Sequence, residues 1–219
     1  MKKLPNLIIL GPQGSGKGTQ AQLLAKNFGY QIIASGELIR DRIKKGDKLA
    51  KELESITNQG KLVDDKVLFN LIENKLSKID LKKPVIFDGS PRNIEQKVLI
   101  DKVTKKYQLE PIKVIYLNIT PSESLKRIAT RKTCPKCNKI YYPKIKGFKE
   151  GKCVDCKVEL EIREDDTDEA IRQRLKIFKE QTLPIIEQFR KRGNLIEVDG
   201  MPSVEQVNKN VVSKIKNAI

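Results

Sequence analysis

The stretch Leu7-Ile8-Ile9-Leu10-Gly11-Pro12-Gln13-Gly14-Ser15-Gly16-Lys17-Gly18-Thr19-Gln20 decides the fold. Four apolar residues read as a short buried strand, a glycine-rich turn follows, and Thr19 to Lys26 reads as the first turns of a helix. Strand, glycine loop and helix start in that order make a phosphate cradle. Successive backbone N–H groups and the positive end of the helix dipole converge on one spot. Gly14, Ser15, Gly16, Lys17, Gly18 and Thr19 are the candidate cradle, with Lys17 as a mobile charge for the β- and γ-phosphates of a nucleotide. Gly11-x4-Gly16-Lys17 meets most of the Walker A pattern. Gly18 stands where Ser or Thr is the rule, and the hydroxyl comes one place later, at Thr19.

Composition limits what can surround this loop. With 219 residues, 38% hydrophobic and 5% aromatic, the chain can form one α/β domain with small inserts and a core of Ile, Leu and Val. The net charge is +16, but the lysines are interspersed with Glu and Asp and carry no interleaved aromatics. That pattern reads as solvated helix faces, and no nucleic-acid partner is expected. Histidine is absent, which removes histidine acid–base chemistry and every histidine-containing metal site. The N-terminal segment has too short an apolar run before the glycines for a secretion signal, and no stretch approaches a membrane span. A cytoplasmic protein with reduced cysteines is expected, with no membrane partner.

Beyond the first helix, Tyr30 to Ala34 reads as a second strand running into Ser35-Gly36-Glu37-Leu38-Ile39-Arg40, a helix start with Ser35 as its N-cap. A charge-rich helical stretch ends at Gly60. Asp64 or Asp65 caps the next helix, which carries Val67, Leu68, Leu71 and Ile72 on its apolar face. Val85-Ile86-Phe87 is a buried strand that delivers Asp88 to its carboxyl end, where ligands bind in open α/β sheets. A carboxylate there suits Mg²⁺, directly or through its water shell. Arg92 and Gln96 follow at helical spacing and can reach one bound anion and its base. Ile112 to Ile119 and Leu195 to Gly200 are further strands, and Val204 to Ile219 is a closing helix. Strands alternating with helices predict a five-stranded parallel sheet flanked by helices on both faces.

All the cysteines lie together, as Cys134-Pro135-Lys136-Cys137 and Cys153-Val154-Asp155-Cys156 with fifteen residues between the pairs. This is the spacing of a tetrahedral zinc site, and four thiolates leave no open position, so the metal is structural. Two disulfides, or iron in place of zinc, are the alternatives. The enclosed segment is too short for a large core, so the metal supplies much of the module's folding energy. Arg127 and Arg131 precede the module, and Arg163, Arg172 and Arg174 follow it. Permanently charged fork donors are what a transferring phosphoryl group needs. Arg172 and Arg174 sit two apart on a helix, so they cannot both face one ligand.

Taken in order, Gly11 to Gln20, Ser35 to Arg40, Gly60-Lys61-Leu62-Val63, Asp88-Gly89-Ser90-Pro91-Arg92 and Arg163 to Asp166 resemble the motifs of adenylate kinases. The cysteines resemble the zinc-bearing lid of the long bacterial form. The resemblance implies a P-loop kinase core (1–34, 65–129 and 167–219), a monophosphate-binding insert (35–64) and a lid (130–166), both inserts mobile. It implies ATP, AMP and ADP as partners, Mg²⁺ with ATP, structural Zn²⁺ and a monomer.

Carried over by position, Gly14 to Thr19, Arg127, Arg131, Ile140, Tyr141 and the Met201 carbonyl bind ATP. Ser35, Arg40, Lys61, Leu62, Val63, Gly89, Ser90, Pro91, Arg92 and Gln96 hold AMP, with Arg163 and Arg174 closing on the phosphates. Lys17, Asp88, Arg92, Arg131, Arg163 and Arg174 form the catalytic set. Three positions depart from the family pattern: Gln13 for Pro, Glu37 for Asp, and Ser90 for Phe. Ser90 is expected to remove an apolar contact from the monophosphate pocket. A kinase for UMP or CMP, a zinc-ribbon nucleic-acid-binding protein and a non-catalytic nucleotide sensor remain as alternatives at this point.

Overall fold

The computed structural model describes residues 4–143 and 148–217. The ends of the N-terminal segment and of the closing helix, and residues 144–147 of the cysteine module, lie outside the described residues.

Five strands, β1 (Asn6–Leu10), β2 (Gln31–Ala34), β3 (Val85–Asp88), β4 (Ile112–Asn118) and the later Leu195–Asp199, form one sheet. In the sheet β1 lies at the centre with β3 on one side and β4 on the other; β2 borders β3 and Leu195–Asp199 borders β4. Every pairing is parallel. The five parallel strands match the sequence expectation. Their order is a tertiary result, because the crossovers are too long for local pattern to choose neighbours.

The central strand shows why both faces are covered. Leu7 and Ile9 pack with α1 (Lys17–Phe28) and α9 (Val204–Asn217), through Ala21, Leu24, Val207, Val211 and Ile215. Ile8 and Leu10 point the other way, toward Leu53, Leu68, Ile72, Ile100 and Ile186. These belong to α3 (Lys48–Asn58), α4 (Asp65–Leu76), α5 (Ile94–Lys106) and α8 (Leu183–Lys191). A run of four apolar residues therefore serves two cores at period two. The remaining helices are α2 (Ser35–Ile43), α6 (Pro121–Ala129) and α7 (Asp168–Ile177), the last continued by a π-helical turn, Phe178–Thr182. The cysteine module carries a separate ribbon of β5 (Lys132–Thr133) and β6 (Ile140–Tyr141), antiparallel; Leu195–Asp199 is then β7.

Helix starts show what local chemistry controls. Asp47, Asp64, Asn93, Thr120 and Thr167 each accept a first-turn N–H and so cap α3, α4, α5, α6 and α7. Asp64, rather than Asp65, is the cap of α4. The expectation for Ser35 is corrected. It is the first residue of α2, after Ala34, and its hydroxyl donates to the carbonyls of Asp88 (3.2 Å) and Gly89 (2.9 Å). The hydroxyl ties α2 to the end of β3 instead of capping its own helix. The charge-rich stretch is two helices, α2 and α3, separated by a turn at Gly46 (φ 72°).

Candidate active site

The carboxyl ends of β1, β2 and β3 open into a cleft of about 990 Å³. Gly11 needs its missing Cβ there: a side chain would fall 2.5 Å from the Leu117 carbonyl oxygen of the neighbouring strand. The loop therefore lies tight against β4, and α1 starts at Lys17, two residues before the expected Thr19. Neither α1 nor α2 has a side-chain cap, whereas the five helices named above do. Their first residues line the cleft, so two helix starts with uncapped N–H groups face one space.

Cations gather around that space. Lys17, Arg40, Arg92, Arg131, Arg163 and Arg174 all line it. Lys17 donates to the carbonyls of Gly11 and Pro12, both at 2.8 Å, and burial lowers its pKa to about 8. Burial also lowers Arg92 to about 10, with Arg174 adding repulsion, and Arg163 to about 10, with Arg40 and Arg131 adding theirs. Arg40 is lowered by burial too. Positive charges held together against their own repulsion define a site for a highly charged anion. Of the acidic residues that line the cleft, Asp88 lies under the start of α1; a Cβ on Gly18 would sit 3.3 Å from its Oδ2. Burial raises its pKa, while Lys17 and Arg92 pull it down.

The cysteine module is folded over the cleft and touches both walls. Arg131 and Asp166 are bonded side by side at its base, and Gln13 of the glycine loop donates to Asp166 at 3.3 Å. Asn138 donates to Glu37 of α2 at 2.7 Å, and Arg174 reaches Thr57 O of α3 at 3.1 Å and Asp165 at 2.6 Å. Sequence marks Gln13 and Glu37 only as departures from the family pattern, and it marks neither Asn138 nor Thr182, whose hydroxyl donates to the Arg92 carbonyl at 2.8 Å. Their polar types carry no signal until the distant partner is known.

Most of the sequence candidates converge on the cleft: Gly14, Gly16, Gly18, Ser35, Lys61, Leu62, Val63, Asp88, Gly89, Pro91, Gln96 and Ile140 line it with the six cations. Arg172 does not line it, as its spacing from Arg174 required. Ser15 is buried, and neither Ser15 nor Thr19 is part of the lining. Arg127 and Met201 lie outside the lining but are brought together, Arg127 donating to the Met201 carbonyl at 3.2 Å and to Gly14 O at 3.4 Å.

Two expectations are corrected. Tyr141 is fully buried in the cysteine module with its hydroxyl on Cys153 Sγ at 3.2 Å, and Tyr142 lines the cleft instead. Side chains alternate through β6 and just past its end: the core of the module takes Tyr141, and Ile140 and Tyr142 on either side of it line the cleft. Ser90 is fully buried but faces a small cavity between α4 and α5, lined by Leu68, Phe69, Ile72, Leu99 and Ile100 with Asp65 and Gln96. Its side chain is not part of the cleft.

The four cysteine sulfurs all lie within 4.8 Å of one another, and Cys137 Sγ is 3.7 Å from Cys153 Sγ. A tetrahedron of sulfurs around zinc has edges of about 3.8 Å, whereas a disulfide brings the atoms to about 2.05 Å. The backbone N–H groups of Cys137 and Cys156 point at the sulfurs of Cys134 (3.5 Å) and Cys153 (3.4 Å), the geometry of two knuckles. The group fits a closed four-thiolate metal site.

A central P-loop, a second anion-binding wall across one cleft and an arginine-rich cover between them define a nucleoside-monophosphate kinase. A sequence model of the adenylate kinase family matches residues 9–194. The chain is 38% identical over 216 residues to an adenylate kinase of Thermosipho melanesiensis, covering 96% of this chain and 99% of that one. It is 36% identical over 216 residues to one of Archaeoglobus fulgidus (97% and 100%) and 35% identical over 212 residues to one of Petrotoga mobilis (96% and 97%). The chain belongs to the adenylate kinase family.

Proposed function

We propose that this chain catalyses Mg·ATP + AMP ⇌ 2 ADP, with Gly14 to Thr19 holding the ATP phosphates and Ser35, Arg40, Lys61 to Val63, Gly89, Pro91, Arg92 and Gln96 holding AMP. The observation that carries this reading is the convergence of Lys17 and five arginines on one cleft entered by two uncapped helix starts. Two phosphate chains placed end to end account for that much positive charge. Family membership supports the choice of AMP as acceptor.

An oxygen of the AMP phosphate attacks the γ-phosphorus, and the bond to the β-bridging oxygen breaks, leaving ADP on the donor side. A phosphate monoester is mostly ionised at neutral pH, its second pKa being about 6, so no side-chain base is needed. The absence of histidine costs nothing. Lys17, Arg92, Arg131, Arg163 and Arg174 align the two chains and neutralise the charge spread over the transferring group. Asp88 is the carboxylate that would hold Mg²⁺ through its water shell, and the ion when bound adds further neutralisation. Arg127 and the Met201 carbonyl form the shelf for the ATP base. Residues 130–166 are the lid, held in shape by a metal on Cys134, Cys137, Cys153 and Cys156, and closure keeps water from taking the γ-phosphoryl group. We take the working form to be a cytoplasmic monomer; among the described residues no helix is long and apolar enough to cross a membrane.

The deciding experiment is ADP formation from Mg·ATP with AMP, GMP, CMP and UMP in turn. Turnover with AMP well above the others is the expected result; preference for UMP or CMP, or no turnover, overturns the reading.

A further inference from the structure

Asp65 is the first residue of α4, yet it is not needed to start that helix, because Asp64 Oδ1 already accepts from the N–H groups of Lys66 and Val67. Its carboxylate is turned to α5. It accepts from Gln96 Nε2 at 2.9 Å and from Asn93 Nδ2 at 3.2 and 3.3 Å. Gln96 is 3% exposed and lines the cleft, and its amide oxygen accepts the backbone N–H of Arg92 at 2.9 Å.

A glutamine amide is nearly symmetric in shape and can turn over, exchanging its oxygen for its nitrogen. Here two unlike partners oppose that exchange. A carboxylate only accepts and a backbone N–H only donates. Turned over, the amide would set oxygen against carboxylate and N–H against N–H, losing both bonds at a buried site. Gln96 therefore keeps its remaining donor and remaining acceptor in one order.

That order matters for a purine. On its outer edge adenine accepts at N1 and donates from its 6-amino group. Hypoxanthine and guanine donate at N1 and accept at O6, the reverse arrangement. An amide free to turn serves either base; a held amide serves one. We infer that Asp65 is a specificity-determining positioning residue: by holding the Gln96 amide in one orientation it makes the acceptor site take a 6-aminopurine and reject a 6-oxopurine. This rests on the proposed reading that Gln96 faces the base of the acceptor nucleotide.

The test is the ratio of kcat/KM for AMP to that for IMP, in the unaltered protein and in Asp65→Asn, Asp65→Ala and Asp64→Asn. Asparagine keeps the shape but offers an N–H₂ that tolerates a turned Gln96. The AMP:IMP ratio is expected to fall roughly tenfold or more in both Asp65 variants, the scale of one charge-assisted hydrogen bond. Asp64→Asn keeps a capping oxygen but removes a carboxylate charge from the same helix start, and so controls for simple loss of charge there; its ratio is expected to stay as in the unaltered protein. An unchanged ratio in whichever Asp65 variant folds, or an equal fall in Asp64→Asn, overturns the inference. Failure of the unaltered protein to turn over AMP would overturn the functional reading itself, and is told apart because it needs no variant.

Discussion

Arg131 and Asp166 form a two-pronged ion pair sealed from solvent: Nε donates to Oδ2 at 2.9 Å and Nη2 to Oδ1 at 2.5 Å, with side chains 6% and 2% exposed. Gln13 and Arg174 approach the same carboxylate at 3.3 and 3.5 Å. One aspartate thus joins the glycine loop, the base of the cysteine module and α7. Removing one member of a buried pair leaves the other charged and unpartnered, which costs about 3–5 kcal/mol. Asp166→Ala is expected to lose stability on that scale in urea unfolding and to lose most turnover. A loss below about 1 kcal/mol would show that the pair holds nothing together.

Lys17 gives a pH dependence of defined sign. Burial lowers its pKa from 10.5 to about 8, so the folded chain releases this proton before the unfolded chain does. Its contribution to stability therefore rises as pH climbs through that window. Activity runs the other way, because the phosphates need the ammonium. The expected kcat/KM profile falls on its alkaline side near pH 8, while kcat holds to higher pH because bound phosphate favours the charged form. A kcat/KM profile flat to pH 10 contradicts this.

The cysteine cluster predicts a metal content. One zinc per chain is expected by elemental analysis, and a strong chelator is expected to lower the melting temperature. Cys153→Ser replaces a thiolate ligand by a hydroxyl and changes the acceptor of the buried Tyr141 hydroxyl, so it is expected to loosen the module and cut turnover. An active, equally stable Cys153→Ser protein would sink the structural-metal reading.

Ser90 predicts an asymmetry. Its hydroxyl is buried without a hydrogen-bond partner, beside a small cavity lined by apolar side chains together with Asp65 and Gln96. Ser90→Ala is expected to be neutral or up to about 1 kcal/mol more stable, since an unsatisfied polar group is removed. Ser90→Phe overfills a cavity that small and is expected to cost about 1–3 kcal/mol. Neither the KM for AMP nor the base preference should change in Ser90→Ala. Altered base preference there would place the side chain on the acceptor pocket after all.

Parts of the site were legible because they are local. The glycine loop, the strand ending at Asp88 and the paired cysteines are each set by a few consecutive residues whose backbone needs are written in their types. Asp64, Thr167 and Asn93 cap by contacts three residues or fewer away. Other parts were illegible for the opposite reason. Gln13 meets Asp166 across 153 positions, and Asn138 meets Glu37 across 101. No local pattern marks a side chain for such a partner.

The sequence by itself therefore determined the class of core, the phosphate loop and the metal-binding knuckles, because periodicity, glycine placement and thiolate spacing act within one segment. Tertiary structure alone decided the strand order, which of Tyr141 and Tyr142 faces the cleft, and where Ser90 points. It also decided what holds the Gln96 amide. In each case more than one arrangement is open to the local sequence, and packing against segments distant in the chain selects one.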